Sequence, residues 1–441
     1  MTETSPPAEA ADRFEVEARR TGLTLPPRGR PLDPWLAGGV TLLIILSALT
    51  VGYATDWLNP SRAHVYPVAE MPVCGPTPVD LSIPAEAGVS GALPGAWAAL
   101  ASAYSAATGG CLSVTGNASA TVLGALAAGT VDAVVGPEMP APGTLGNLSA
   151  ETYDAPLLVA PLVVLYNLGG ATPELNLTAD ALAAIYLGSA TSWNDPQLVA
   201  SNPGLNATVP IAAAYLAGPT PANSLLSGYL GEWNATFAST VGVGPNVSWP
   251  AGAPQTDPSA MLSYVAAHPG AVGYVPTDVC PTVTAPVACA ALQDGSDAFV
   301  APTGPSVQAA ASLASNSSSA LTSDWANVSG VAPVGTAVYP MVGLTYAIVY
   351  KDLGTEYGSA LPLNDSKWLI SLFFWIAADV GGEAASVAQG FGYFALPFHL
   401  SEAAQGTALS VTYAGAWILA PAAAAYDDSE GNETGGETGE F

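Results

Sequence analysis

The sequence predicts an α/β layered fold outside a single membrane-spanning helix, and three observations predict it. Strand-like and helix-like segments alternate over residues 79–350, the pattern of helices packed on a largely parallel sheet. One uncharged apolar run, WLAGGVTLLIILSALTVGY at 35–53, spans roughly 30 Å at about 1.5 Å per residue, the hydrocarbon thickness of a bilayer. Five of the eight basic residues (Arg13, Arg19, Arg20, Arg28 and Arg30) precede that run, and only Arg62, Lys351 and Lys367 follow it. The positive-inside rule then keeps the N-terminus in the cytoplasm and puts the chain from about Asp56 outside. A cleaved signal peptide is the competing reading; the length of the run and of the segment ahead of it favours an uncleaved anchor.

The elements follow in order. VDLSIPA (79–85) reads as a strand and 94–107 as a helix with Pro94 in its first turn. CLSVTG (111–116) is a strand, 120–128 a helix and TVDAVVG (130–136) a strand. The apolar APLLVAPLVVLYNL (155–168) is long enough to cross between two lobes. Thr178 supplies an N-cap for ADALAAIYL, which Gly188 ends. AAYLAGPTPANSLLSGYL (213–230) turns from a strand into a helix, the arrangement that commonly holds anions because the first helical amides lack partners. Asp257 and Pro258 open a helix reaching about His268, a Pro-Gly turn follows, and AVGYV is a buried strand. YPMVGLTYAIVY (339–350) is a second long strand able to cross back. SKWLISLFFWIAADV is apolar all round but short and interrupted by Lys367 and Asp379, so it reads as a buried helix.

The net charge is −27, yet only 10% of residues are charged, so the acidity reflects scarce bases. No basic patch can form, which excludes nucleic acid as a partner. Asn-X-Ser/Thr acceptors occur at Asn117, Asn147, Asn176, Asn206, Asn234, Asn246, Asn316, Asn327, Asn364 and Asn432, ten of the fifteen Asn residues and all beyond the apolar run. Chance would give about two or three, so glycosylation on the cell exterior is the expectation. The four Cys also lie beyond the run, as a disulfide compartment predicts. Cys280 and Cys289 are expected to close the loop CPTVTAPVAC, and Cys74 with Cys111 to tie the starts of two neighbouring strands.

The order and spacing of LVVLYNL, LNLTADALAAIYLGSATSWNDPQLVASNPGLN, GAVGYV and AVYPMVGLTYAIVYKD resemble the phosphate-binding proteins of phosphate ABC transporters. The resemblance covers roughly residues 84–409 and implies a type II periplasmic-binding-protein fold, with two α/β lobes, crossing strands and a ligand cleft between them. On that reading 1–33 is a cytoplasmic tail, 34–54 the transmembrane helix and 55–77 a Pro-rich stalk. Residues 78–165 and 335–420 form lobe 1, 166–334 lobe 2, and 421–441 a disordered acidic tail. The Trp193-Asn194-Asp195-Pro196 element is read as structural: Trp193 packs, and Asn194 or Asp195 caps a short helix.

What the resemblance implies for the cleft carries over in pieces. Ser90 in AGVSGALPG matches the hydroxyl of the family's first turn, and Asn117, with Ser119 nearby, stands at the serine of its second. Pro137 takes the place of an aspartate, with Glu138 one step later. The family's Arg-Ser-Asp-Gly-Ser-Gly-Thr-Thr loop falls on LAGPTPAN: its arginine is Leu216, its aspartate Gly218, its serine Thr220, and its next glycine and threonine are Pro221 and Ala222. An anion buried without a cation or a dense set of N–H donors is disfavoured by several kcal/mol. Ser90, Asn117, Ser119, Glu138, Thr220 and Asn223 are therefore the candidate ligand-binding residues of a cleft that no longer suits phosphate.

No nucleophile elbow, P-loop, zinc-binding or Cys-X-X-Cys motif is present, and His64, His268 and His399 are scattered, so neither an enzyme nor a cofactor is expected. Two readings remain: a solute-binding ectodomain serving an ABC permease, or a glycosylated surface protein that reuses the fold to meet other surface proteins.

Overall fold

The computed structural model describes residues 79–84, 92–109, 112–117, 122–136, 151–170, 174–277, 279–314, 330–331, 337–378 and 382–419. The expected cytoplasmic tail, membrane span, stalk and acidic tail lie outside these residues. Among the described residues no single helix is long and apolar enough to cross a membrane.

The chain begins the first sheet with β1 (Val79–Pro84), β2 (Leu112–Asn117), β3 (Ala133–Gly136) and β4 (Thr152–Pro161), joined in part by α1 (Ala92–Thr108) and α2 (Val122–Ala127). Leu162 interrupts the long apolar run, which resumes as β5 (Val163–Tyr166) in a second sheet. There follow β6 (Asn176–Leu177), α3 (Ala179–Tyr186), α4 (Pro196–Ser201), β7 (Ala212–Leu216), α5 (Pro221–Trp233) and α6 (Ala235–Thr240). The second lobe continues through β8 (Ala253–Gln255), α7 (Pro258–Ala267), β9 (Ala271–Val275), β10 (Ala288–Cys289), β11 (Ala291–Gln293) and β12 (Phe299–Val300), after which α8 (Gly304–Ala314) packs back on the first sheet. The chain returns through β13 (Gly330–Val331) and β14 (Met341–Tyr350), then adds α9 (Leu353–Tyr357), α10 (Leu363–Ala378), α11 (Glu383–Gln389), β15 (Phe394–Ala395), α12 (Phe398–Leu409), β16 (Thr412–Tyr413) and β17 (Ala416–Trp417).

The first sheet runs β15-β4-β14-β3-β1-β2, with β13 also on β14, and the second runs β10-β5-β9-β7-β8. The expectation of largely parallel strands holds for β2-β1-β3 and for β9-β7-β8. Elsewhere it needs correction, because β14 lies antiparallel to both β3 and β4, and β5 antiparallel to β9 and β10. The cause is topological: β4 leaves the first lobe while β14 comes back beside it, so the two must run in opposite senses.

These directions position the site. β4 runs toward the second lobe, and β1, β2 and β3 run the same way, so their carboxyl ends face the boundary. β5 runs into the second lobe while β7, β8 and β9 run back, so their carboxyl ends face the same boundary. Ligands of open α/β sheets dock at such ends. The crossing is fastened where the strands pass: the Leu162 amide donates to Met341 O at 2.9 Å and the Tyr339 hydroxyl to Leu162 O at 2.9 Å.

The caps read from sequence are in place. The Thr178 hydroxyl accepts from the Ala181 amide at 3.1 Å, and the Asp257 carboxylate from the Ala260 amide at 2.8 Å. His268 ends α7, its Nδ1 within 2.8 Å of Tyr264 O, as a polar helix-end residue. Gly270 in the Pro-Gly turn has φ +88°, and a Cβ there would fall 2.1 Å from Pro210 O, so no other residue fits. α10 is buried along most of its length, and its Trp368 and Trp375 rings meet Tyr104 of α1 at centroid distances of 6.1 and 5.4 Å. Edge-to-face and tilted contacts of this kind add to the burial of large rings.

Candidate functional site

β7 ends at Leu216, a side chain only 3% exposed at the position where the family resemblance implies a guanidinium. The turn that follows, Ala217 to Thr220, passes through Gly218 at φ +79° and delivers Pro219 and Pro221, neither of which has an amide hydrogen to donate. Pro221 opens α5 with its φ already set, and Thr220 is the N-cap: its hydroxyl oxygen accepts from the Asn223 amide at 3.2 Å. The Ala217 amide donates to Gln255 O at 2.9 Å and the Thr220 amide to Pro245 O at 3.0 Å.

Asn223 was expected on the rim of the cleft. In the structure its side chain is 1% exposed and fastens the turn from inside. Its Nδ2 donates to Leu216 O and Gly218 O, both at 3.0 Å, and to Pro245 O at 3.3 Å. Its Oδ1 accepts from the Tyr274 hydroxyl on β9, which in turn accepts from the Leu216 amide at 3.1 Å. Burial pushes the Tyr274 hydroxyl well above the usual tyrosine range, with the Leu216 amide opposing, so the phenol stays a donor at every ordinary pH.

A loop from Gly242 to Pro250 lies over the start of α5. Pro245 supplies the carbonyl just described, and Gly244 donates from its amide to the Ser227 hydroxyl at 3.0 Å. Trp249 anchors the loop among Tyr186, Tyr215, Phe237 and Tyr274, with ring centroids 5.0 to 6.3 Å away. The donors of the turn are thus mostly engaged within the lobe. The Thr220 hydroxyl hydrogen and the amides of Gly218 and Ala222 take part in none of these bonds. A neutral polar wall with few donors results, and no Lys or Arg occurs between Arg62 and Lys351 to add charge to it.

The turn faces the lobe boundary. It follows the carboxyl end of β7, and a Cβ at Gly343 of β14 would stand 3.2 Å from Leu225 Cδ1 of α5. The opposite wall is less fully described. Asn117 is the last residue of β2, paired with Pro84 at the carboxyl end of β1. Ser90, Ser119 and Glu138 lie outside the described residues, as do Cys74 and Cys111. Cys280 and Cys289 are joined, with S–S 2.08 Å and Cα–Cα 5.9 Å. No group of His, Cys, Asp or Glu among the described residues could hold a metal ion.

The Trp193 element is structural here. Trp193 is fully buried, its Nε1 donates to Gly270 O at 3.0 Å, and Asp195 caps α4 by accepting from the Gln197 amide at 2.9 Å. Sequence reasoning missed Tyr274 and Pro245 as members of the turn's network. The buried position of Tyr274 in AVGYV was a signal that its hydroxyl needed a partner.

Residues 85–371 match the PBP superfamily domain. The chain belongs to this superfamily. Among curated proteins it is 28% identical over 220 residues to the phosphate-binding protein PstS of Xylella fastidiosa, a match covering 48% of this chain and 57% of that protein. The chain thus spans little more than half the length of that relative. Among solved structures, a human phosphate binding apolipoprotein aligns with a TM-score of 0.57 at 14% identity, over 74% of this chain and 93% of that one. A phosphate-binding protein from Stenotrophomonas maltophilia aligns with a TM-score of 0.52 at 18% identity, over 75% and 93%. At such identities the structural likeness speaks for the fold. The superfamily member resembles phosphate-binding proteins, and the relatives named are binding proteins rather than enzymes.

Proposed function

We propose that this protein is a membrane-anchored, extracytoplasmic solute-binding-protein-like ectodomain whose cleft has lost its phosphate-binding chemistry. One observation carries the reading: at the turn that faces the lobe boundary, Leu216 is buried, Pro219 and Pro221 offer no amide, and the Asn223 amide is committed to the protein's own carbonyls. A phosphate dianion needs charge-assisted donors to offset its desolvation. Thr220, Gly218 and Ala222 offer a sparse, uncharged set that suits a neutral polar ligand delivered to an ABC permease.

Calorimetric titration of the full chain in detergent with inorganic phosphate, at neutral pH and moderate salt, tests the reading. Heat of binding weaker than micromolar is expected. A Kd at or below that range, about −8 kcal/mol, overturns it and returns the protein to phosphate uptake. The anchor and orientation rest on the apolar run and the basic residues ahead of it. Protease added to intact cells is expected to digest the ectodomain and spare the N-terminal tail.

The inward commitment of Asn223 also favours a second reading, a glycosylated surface protein that reuses the fold without a ligand. A permease and ATPase pair encoded beside this chain would favour transport over that alternative.

A further inference from the structure

The ten acceptor sequences read alike in one dimension, but the fold separates those it describes. N-linked transfer needs an acceptor amide that can be reached and a hydroxyl two residues later that can be reached with it, on a segment free to fit a transferase. In the reaction, Nδ2 of the asparagine attacks the anomeric carbon of a sugar carried on a polyprenyl phosphate or pyrophosphate. The N–C bond forms as the C–O bond breaks, the lipid phosphate leaves with the electron pair, and one amide proton passes to a base of the transferase.

We propose that Asn206 and Asn246 are the acceptors open on the folded second lobe, and that Asn176, Asn234 and Asn364 are closed by the fold. This rests on the exterior location proposed above. Asn206 and Thr208 are both exposed, on irregular chain between α4 and β7. Asn246 and Ser248 are both exposed, on the loop over the start of α5, and neither asparagine side chain takes part in a described hydrogen bond.

The other three sequons are engaged. Asn176 lies in β6, paired with β11; its backbone amide donates to Asn202 Oδ1 at 2.7 Å, its carbonyl accepts from Asn202 Nδ2 at 2.8 Å, and its own Nδ2 donates to Ser201 O at 3.4 Å. Its own hydroxyl partner, Thr178, is the N-cap of α3. Asn234 caps α6 by accepting from the Phe237 amide at 2.8 Å, while its Nδ2 donates to Asp180 Oδ1 at 2.8 Å. Asn364 is exposed, but the Ser366 hydroxyl it requires is fully buried in α10. That hydroxyl is reachable only before α10 packs.

The placement of Asn246 has a second consequence. It follows Pro245, whose carbonyl holds the Thr220 amide, so a glycan there stands beside the turn that faces the lobe boundary.

The test is glycopeptide mass spectrometry on the full chain purified from its own host's membranes, alongside protease accessibility of the ectodomain on intact cells. Glycan on the Asn206 and Asn246 peptides, with Asn176, Asn234 and Asn364 bare, is expected. Asn206→Gln and Asn246→Gln should each remove one glycan mass and leave the fold intact, since neither side chain holds another element. Glycan on Asn176, Asn234 or Asn364 at the level of the two loop sites overturns the proposal, because modification would then precede folding. Bare Asn206 and Asn246 on a protease-accessible ectodomain also overturn it. A protease-inaccessible ectodomain instead overturns the exterior reading on which it stands.

Discussion

Two segments of the second lobe, both matched to the same family, have fared differently. In the Trp193-Asn194-Asp195-Pro196 segment, the indole holds Gly270 O and the Asp195 carboxylate caps α4. The turn from Leu216 to Asn223 directs its buried polar atoms inward, onto Tyr274 and Pro245. Polar groups satisfied by other parts of the chain hold the architecture in both segments and need no ligand to complete them.

The largest expected effect comes from breaking the Trp193 side of this contrast. Trp193→Ala should cost about 3–5 kcal/mol, the range for emptying a buried large aromatic, read by urea denaturation. A loss below about 1 kcal/mol would show that the segment is not a fold determinant. At the turn, Asn223→Ala should cost about 1–3 kcal/mol, because Leu216 O, Gly218 O and the Tyr274 hydroxyl lose a buried partner. Unchanged stability with altered solute binding would instead put that side chain in the cleft.

The smallest effect extends the contrast to a half-exposed carboxylate, Asp352, that the chain's own donors surround. Burial alone would raise the Asp352 carboxyl, but donation from the Thr355, Gly415 and Ala414 amides and the Thr412 hydroxyl outweighs it and holds the group down to about 2. Its folded value lies below the ordinary 3.8, so it contributes stability above that value, and the contribution is lost as pH falls from about 4 through about 2. Asp352→Asn should be less stable than the parent by on the order of 1 kcal/mol at neutral pH. The gap should narrow as pH falls from about 4 toward about 2 in fluorescence-monitored denaturation, and a constant gap would break the assignment.

Local chemistry made much of the fold legible. Thr178, Asp195 and Asp257 cap helices because a side-chain oxygen reaches amides two or three residues on, a relation visible within one turn. The runs that became β4, β5 and β14 were legible from length and apolarity. The antiparallel insertion of β14 between β3 and β4 was not, since those partners lie some two hundred residues apart in sequence and strand periodicity carries no information about neighbours. Asn223 was misplaced for a related reason. At the start of a helix its type suits a ligand or a cap equally, and what decides between them is Tyr274, 51 residues away.

The fastening at Leu162 gives the second lobe the geometry of an insert. β4 ends and β14 begins side by side there, with Leu162 and Met341 one hydrogen bond apart at 2.9 Å and Pro161 registered against Val342. An entire lobe is thus spliced into the other through a doorway the width of two strands. Such an insert can be exchanged for the corresponding lobe of another superfamily member by cutting at only two points.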